Sequence, residues 1–312
     1  MTDLALLRDA DPADVRTLLE AAPAEDLVEA IRSTSDDDLL DLIGGDDVRP
    51  VAVEVILGRL HEYAVPARVA ALHGVVRFDL MRSGTLLERH ALVLEGGSIT
   101  VHAHHPVEAP VDVVLTTSLL RFVRLISGER NAGLEYLAGT LDIEGDAALA
   151  MGVGGIFRVP GTGQVAVDPH LLDPVDVATV LGDVKHDHLK KVLASDFRPI
   201  VLGEIFRRLP EFINARRARG VSIAVGFRLL GNPSGEIDRY VVHVRDGVAR
   251  VETGDATGEP DATVTCQAHD YLRLATGHLN PVLGVLKGTL KVKGDKAKAL
   301  QLSSIIDIPR AR

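Results

Sequence analysis

The run Gly139-Thr140-Leu141-Asp142-Ile143-Glu144-Gly145-Asp146 returns 149 positions later as Gly288-Thr289-Leu290-Lys291-Val292-Lys293-Gly294-Asp295. An internal repeat constrains a fold more than any local propensity, because whatever one copy forms the other must form too. Asp47-Val48-Arg49-Pro50 returns at the same spacing as Asp196-Phe197-Arg198-Pro199, and residues 112–146 and 261–295 share 13 of 35 positions without a gap. Asp11-Pro12-Ala13-Asp14-Val15 matches Asp173-Pro174-Val175-Asp176-Val177 at a spacing of 162, so copy one carries thirteen extra residues before its Arg-Pro. Around Gly97 and Gly247 the spacing is 150, a one-residue shift absorbed in hairpin turns. The copies span roughly 1–160 and 170–312, joined by a short Pro/Gly linker at 159–164.

Each copy opens with helical signals. Asp11 before Pro12 is an N-cap followed by proline at the first helical position, and Ser35 before three aspartates starts another helix. Val53, Ile56, Leu57, Leu60 and Tyr63 recur at helical spacing, as do Leu202, Ile205, Phe206, Leu209 and Phe212, where Pro210 should kink or end the helix. The period then changes to two. Val76, Phe78 and Leu80 alternate with polar neighbours, as do Val225, Phe227 and Leu229, and turns follow at Ser83-Gly84, Gly96-Gly97, Asn232 to Gly235 and Asp246-Gly247. A fourth strand, a crossover helix (about 118–128 and 267–277), a fifth strand and a last helix from Asp146 or Asp295 complete each copy. The expectation is an α+β fold of two tandem domains. Each has a five-stranded, mostly antiparallel sheet (regions about 74–157 and 221–306) covered by helices and preceded by a helical segment.

That order, with Asp270-Tyr271-Leu272-Arg273-Leu274-Ala275-Thr276-Gly277 and the run Leu286 to Asp295 followed by Ala299-Leu300-Gln301-Leu302, resembles the sterol carrier protein (non-specific lipid-transfer) family. Copy one carries the pattern through Leu137-Ala138 and Gly139 to Asp146. The resemblance covers about 75–157 and 222–306. It implies an apolar tunnel between sheet and helices that takes a sterol, fatty acid, acyl-CoA or phospholipid, closed by the last helix.

Candidate walls in copy two are Ile205, Phe206, Leu209, Phe212, Val225, Phe227, Leu272, Leu286, Leu302 and Ile305. In copy one they are Ile56, Leu57, Leu60, Tyr63, Val76, Phe78, Val123, Leu137, Val153, Ile156 and Phe157. Each acyl methylene buried there contributes about 0.8 kcal/mol before binding costs. A charged head group must stay at the mouth or meet a donor. Core and cavity wall look alike in a sequence, so packed core is the competing reading of every one of these side chains.

The copies differ. Lys287, Lys291, Lys293, Lys296 and Lys298 stand where copy one has Ala138, Asp142, Glu144, Ala147 and Leu149. These lysines either attract acidic head groups, favouring copy two as lipid handler, or form the exposed face of an edge strand. Gly152-Val153-Gly154-Gly155 replaces Gln301-Leu302-Ser303-Ser304 and weakens the last helix of copy one on propensity alone.

Composition excludes several function classes. The net charge of −10 lies wholly in residues 1–50, with fourteen acids and four bases, and the rest of the chain is balanced. No basic face for nucleic acid is expected. No stretch approaches the roughly 18 apolar residues of a membrane span, though contact with a membrane surface is left open. The lone Cys266 and the absence of a signal-like start lead to an expectation of a cytoplasmic, reducing setting. His102 and His104, expected on one strand face, and His186-Asp187-His188 complete no recognisable metal spacing. Neither a dinucleotide or phosphate loop nor a nucleophile elbow is present. The expectation is therefore a non-enzymatic lipid-binding or lipid-transfer protein with no cofactor or metal. The alternative is a non-catalytic scaffold in which the acidic N-terminal helices pair with Arg216, Arg217 and Arg219, within one chain or in a homo-oligomer.

Overall fold

The computed structural model describes residues 10–42, 44–158, 172–254 and 258–309. The chain divides into two compact units, Met1–Asp168 and Pro169–Arg312. The expected linker at 159–164 lies outside the described residues.

The first unit begins with α1 (Pro12–Ala21), α2 (Ala24–Ser33), α3 (Asp36–Leu42) and α4 (Val48–Arg59). A 3-10 turn (Leu60–Tyr63) and the short α5 (Pro66–Val69) lead to β1 (Gly74–Arg82), β2 (Thr85–Glu95), β3 (Ser98–Ala103) and β4 (Val113–Ser118). Then come α6 (Leu119–Ile126), α7 (Ala132–Ala138), β5 (Leu141–Gly145) and α8 (Ala147–Ile156). The expected N-cap is present: the Asp11 carboxylate accepts from the backbone of Ala13 and Asp14, both at 2.9 Å. Ser35 likewise accepts from Asp38 N at 3.2 Å. The thirteen extra residues of copy one are α2 with its flanking turns, since α1 and α3 have counterparts in the second unit and α2 has none.

The second unit repeats the plan. Its elements are α9 (Pro174–Leu181), α10 (His186–Val192), α11 (Arg198–Arg208), β6 (Ser222–Leu230), β7 (Asp238–Arg245), β8 (Val248–Thr253) and β9 (Ala262–Gln267). They continue with α12 (Ala268–Ala275), α13 (Pro281–Leu286), β10 (Lys291–Gly294) and α14 (Lys296–Ile305). Strand orders are β3-β2-β1-β4-β5 and β10-β9-β6-β7-β8, the same order read from opposite ends. Every pairing is antiparallel except β1 with β4 and β6 with β9. Both sheets are therefore mixed, with one parallel step each.

The repeated motif now has a structural cause. Gly145 (φ +99°) and Gly294 (φ +88°) lie so close to the backbones of Asp112 and Asp261 that a Cβ would collide. The aspartates after them cap the last helices: Asp146 accepts from Leu149 N at 2.9 Å and Asp295 from Ala297 N at 2.9 Å. Glycine is the residue that tolerates both the left-handed backbone and the contact. The motif is thus built for backbone closure.

Several local expectations change. The crossover is two helices in each unit, because Asn131 and Asn280 start α7 and α13 by accepting backbone N–H bonds. Helices α4 and α11 pass into 3-10 turns at the same point, although only the second contains a proline there. The cause common to both is the pairing that follows, Ala64 with Phe157 and Ile213 with Ile306, which ties the end of each unit to its first long helix. His104 lies past the end of β3 with φ +53°, so it does not share a strand face with His102. Helix α8 runs unbroken through its glycines, and at Gly152 a Cβ would come within 2.8 Å of Leu72, so packing requires the small residue.

Candidate functional site

Strand register places Val76, Phe78 and Leu80 of β1 beside Leu92, His90 and Glu88 of β2, all on the sheet face toward α4 and α6. Val53 and Leu57 of α4 and Leu119 and Phe122 of α6 close over them, and Leu60, Phe78, Leu87, Val101 and Ile126 pack against that cluster while remaining partly exposed. The opposite face is polar: Arg89 donates to Asp79 at 2.9 Å, and Arg77 Nε lies 3.0 Å from the same carboxylate.

The expected walls of the first copy divide in two. Leu57, Val76, Leu137, Val153, Ile156 and Phe157 are buried, whereas Ile56, Leu60, Tyr63 and Phe78 keep part of their surface. Val123 is buried elsewhere, among Val15, Leu19, Leu27, Ile31 and Leu39 of the N-terminal helices. Arg124 fixes those helices to α6. It donates to Asp36 at 2.7 Å and to the carbonyls of Ile31 and Thr34 at 2.9 and 2.7 Å.

In the second copy Phe206, Leu209, Val225, Phe227, Leu272, Leu302 and Ile305 are buried, and Ile205 and Phe212 partly so. Leu286 is not among them; it is 77% exposed on α13. The interior here is aromatic. Phe206 stacks between Tyr240 (centroids 3.7 Å, 11°) and Tyr271 (4.8 Å, 5°), and Phe227 meets Phe206 and Tyr271 edge-on. By alignment the same four points in the first copy hold Leu57, His90, Phe122 and Phe78.

One polar feature recurs in both interiors. Arg49 donates from Nε to Glu88 Oε1 at 2.9 Å and reaches Asp46 at 2.9 Å. Arg198, its repeat partner, donates from Nε to Asp238 at 2.8 Å and to the carbonyls of Leu193 and Leu230 at 2.8 and 3.0 Å. Burial pushes the Glu88 carboxyl up, but His90 and Arg49 outweigh it and hold the acid below its ordinary range. The first copy adds His90, fully buried, with neither ring nitrogen hydrogen-bonded; Nε2 lies 3.4 Å from Glu88 Oε2 in poor alignment. A buried polar group left unpaired costs about 1–3 kcal/mol. Sequence reasoning registered the repeated Arg-Pro without its acid, and missed His90, Tyr240 and Tyr271. The register of the hairpin was the signal that could have found His90 and Tyr240.

Other chemistry-bearing groups are spent or shielded. Burial and the nearby Asp270 push the Cys266 thiol up to about 12, so it is no nucleophile. His186, His269 and Asp270 bring three ligand atoms within 4.8 Å of one another. Burial lowers the His269 imidazole and Asp270 opposes this, while His186, Lys190 and Arg273 lower it further. Among the basic residues after α11, Arg217 is engaged by Asp307 and Ser304 of its own unit. Among the described residues no helix is long and apolar enough to cross a membrane.

Two stretches, 54–158 and 208–307, match the SCP-2 sterol transfer family, and together they take in both sheets and the helices that follow β4 and β9. The chain belongs to that family. Membership carries lipid binding or transfer in general as the character of the fold. Among its relatives, hydroxysteroid dehydrogenase-like protein 2 of Xenopus tropicalis is 26% identical over 105 residues, 34% of this chain and 24% of that protein. Sterol carrier protein 2 of Rattus norvegicus is 33% identical over 79 residues, 25% of this chain and 14% of that protein. The chain thus spans about a quarter or less of the length of these relatives. The solved SCP-2 structure from Yarrowia lipolytica, an apo form, is 20% identical with a TM-score of 0.30, covering 39% of this chain and 99% of that one.

Proposed function

We propose that the chain binds a hydrophobic ligand between sheet and helices and passes it to and from membranes, without chemistry of its own. The observation that carries this reading is the interior of the first unit. Apolar side chains from the turn after α4 (Leu60), β1 (Phe78), β2 (Leu87), β3 (Val101) and α6 (Ile126) pack against the buried cluster there without being fully buried themselves. Partial exposure of Phe78, on the central strand of the sheet and flanked along it by the fully buried Val76 and Leu80, is what an apolar space open to a ligand requires. Binding is then passive, driven by apolar area removed from water. The walls named above are the proposed lining, with Val123 and Leu286 left outside it by their positions.

The second unit supplies a membrane-facing surface. Val282 and Leu283 of α13 are about half exposed, Leu286 is 77% exposed, and Lys287 follows directly. Lys296 opens α14, which packs on α13, and Lys291 and Lys293 lie exposed on the edge strand β10. Apolar side chains rimmed by lysine suit an anionic bilayer, where each lysine contributes roughly 1 kcal/mol near the surface. The matching helix of the first unit buries Leu137 and carries no lysine. A reducing, cytoplasmic setting suits the buried free thiol.

The test is displacement of a fluorescent fatty-acid analogue from the full chain by unlabelled fatty acids, alcohols and sterols. It is followed by transfer of the analogue between vesicles with and without anionic lipid. Saturable displacement and faster transfer to anionic acceptors are expected. A chain that takes up no analogue at any concentration overturns the reading.

A further inference from the structure

We infer that His186, His269 and Asp270 form a site for a divalent cation of the zinc type, which ties the leading helix α10 of the second unit to its crossover helix α12. The inference stands apart from the lipid-binding reading and does not need it. His186 opens α10, and His269 and Asp270 sit in the first turn of α12. One ligand atom from each lies within 4.8 Å of the other two, and the two imidazoles meet edge-on with centroids 4.5 Å apart. Two imidazoles and a carboxylate are a donor set that zinc takes with a water in the fourth position. Ligand atoms around tetrahedral zinc stand about 3.3 Å apart, and His186 is exposed, so rotation of its side chain closes the difference.

The carboxylate supplies a second argument. Asp270 is 8% exposed, and its ion-pair partner is His269 Nε2 at 3.7 Å, beyond a hydrogen bond. A buried carboxylate calls for a counter-charge. The two cations nearby are engaged elsewhere: Lys190 donates to Asp187 at 3.1 Å and Arg273 to the carbonyl of His278 at 3.4 Å. A metal ion bound by the two imidazoles supplies the missing charge.

The first unit shows what the junction is for. Leu39 and Leu42 of α3 match the buried Leu189 and Val192 of α10 at a spacing of 150, which sets Asp36 against His186. Arg124 matches Arg273 at 149. Arg124 donates to Asp36 at 2.7 Å and so joins α3 to α6. In the second unit histidine stands in place of that acid, and His269 and Asp270 in place of Leu120 and Arg121. The same junction thus exchanges an ion pair for a set of metal ligands. Spacing along the chain hides the set, because its members come from two helices.

Zinc and, separately, magnesium titrated into the full chain after dialysis against a chelator test this. One equivalent of zinc is expected to bind, to move the ring-nitrogen NMR signals of His186 and His269, and to raise the urea midpoint. Magnesium, which prefers oxygen ligands, should do none of this. His186→Ala and His269→Ala are each expected to weaken zinc binding by more than about tenfold, the least that loss of even a supporting group costs, and to abolish the gain in urea midpoint. His188→Ala, on the same helix but outside the cluster, should retain both. His186 is exposed, so its variant serves if the His269 variant folds poorly. No saturable zinc uptake, uptake that survives both cluster variants, an equal loss in His188→Ala, or ring signals that zinc leaves unmoved overturns the inference, whatever the outcome of the lipid-binding test.

Discussion

Arg49 donates to Glu88 across 2.9 Å in an interior that both side chains share with apolar neighbours, each less than a tenth exposed. Arg198 and Asp238 repeat the pair in the second unit at 2.8 Å. Helix α4 or α11 is thereby fixed to the second strand of its sheet at one end of the apolar layer, the layer proposed above to take the ligand. Breaking such a pair by deleting one partner leaves a buried charge uncompensated, at a cost of about 3–5 kcal/mol. Arg49→Met is expected to lower the first unit's stability toward urea by that order, and Arg49→Met with Glu88→Leu to recover most of it. A loss under 1 kcal/mol in the single variant, read from denaturant unfolding, would show the pair to be dispensable.

The same pair gives a pH dependence. The folded carboxyl of Glu88 lies below its ordinary value, so its contribution is fully present above the unfolded pKa of about 4.3 and is lost as pH falls through the folded value. The stability difference between native protein and Glu88→Gln is therefore expected to be constant near neutrality and to shrink on acidification below about pH 4. Urea midpoints of the two proteins compared from pH 7 to pH 3 give the measurement. A difference that widens in acid would contradict the assigned role.

Gly294 sets the turn from β10 into α14 at φ +88°, against the backbone of Asp261. Gly294→Ala meets both a left-handed backbone, costing about 1–3 kcal/mol, and a steric conflict with main-chain atoms. The expected loss is at the upper end of that range or beyond, confined to the second unit. Gly258→Ala, which has open space around its Cβ, is the control and should fall within about 0.5 kcal/mol of native.

The α13 surface separates stability from function. Leu283→Ser and Leu286→Ser alter exposed side chains, so thermal unfolding should move little. Co-sedimentation with anionic vesicles should fall several-fold, and Lys287→Glu should have the same effect. Unchanged sedimentation of the double serine variant would remove α13 from the membrane contact.

Cys266 offers a simple probe of burial. Its thiol, raised to about 12, should resist iodoacetamide in the folded chain at pH 8 and react fully in denaturant. Rapid labelling of the native chain would mean that β9 opens readily.

Much of the fold was legible because the repeat made each weak signal count twice. The alternation at Val76, Phe78 and Leu80 and the caps at Asp11, Asp146 and Asp295 carry their structural reason in the residue itself. Helices α7 and α13 were not legible. They are six or seven residues long, contain glycine, and present too few apolar positions for a period to emerge. For the same reason Leu286 reads as interior although α13 turns it outward. The site was legible only as a set of apolar residues. Val123 and Leu57 have equal claims in sequence, yet one packs on the N-terminal helices and the other over the sheet. The buried ion pairs and His90 were hidden because a charged residue on an alternating strand reads as solvent-facing. Only the register of β2 against β1 turns Glu88 and His90 inward.

The central claim is that this chain carries a hydrophobic ligand between sheet and helices. Native mass spectrometry of the freshly purified full chain, repeated after incubation with long-chain alcohols, fatty acids and sterols, tests it most directly. The account predicts an added mass of one lipid per chain, recovered as a hydrophobic molecule on denaturation and reduced in occupancy by bulky substitution at Phe78 or Leu60. A chain that shows only its apo mass after every incubation would contradict it.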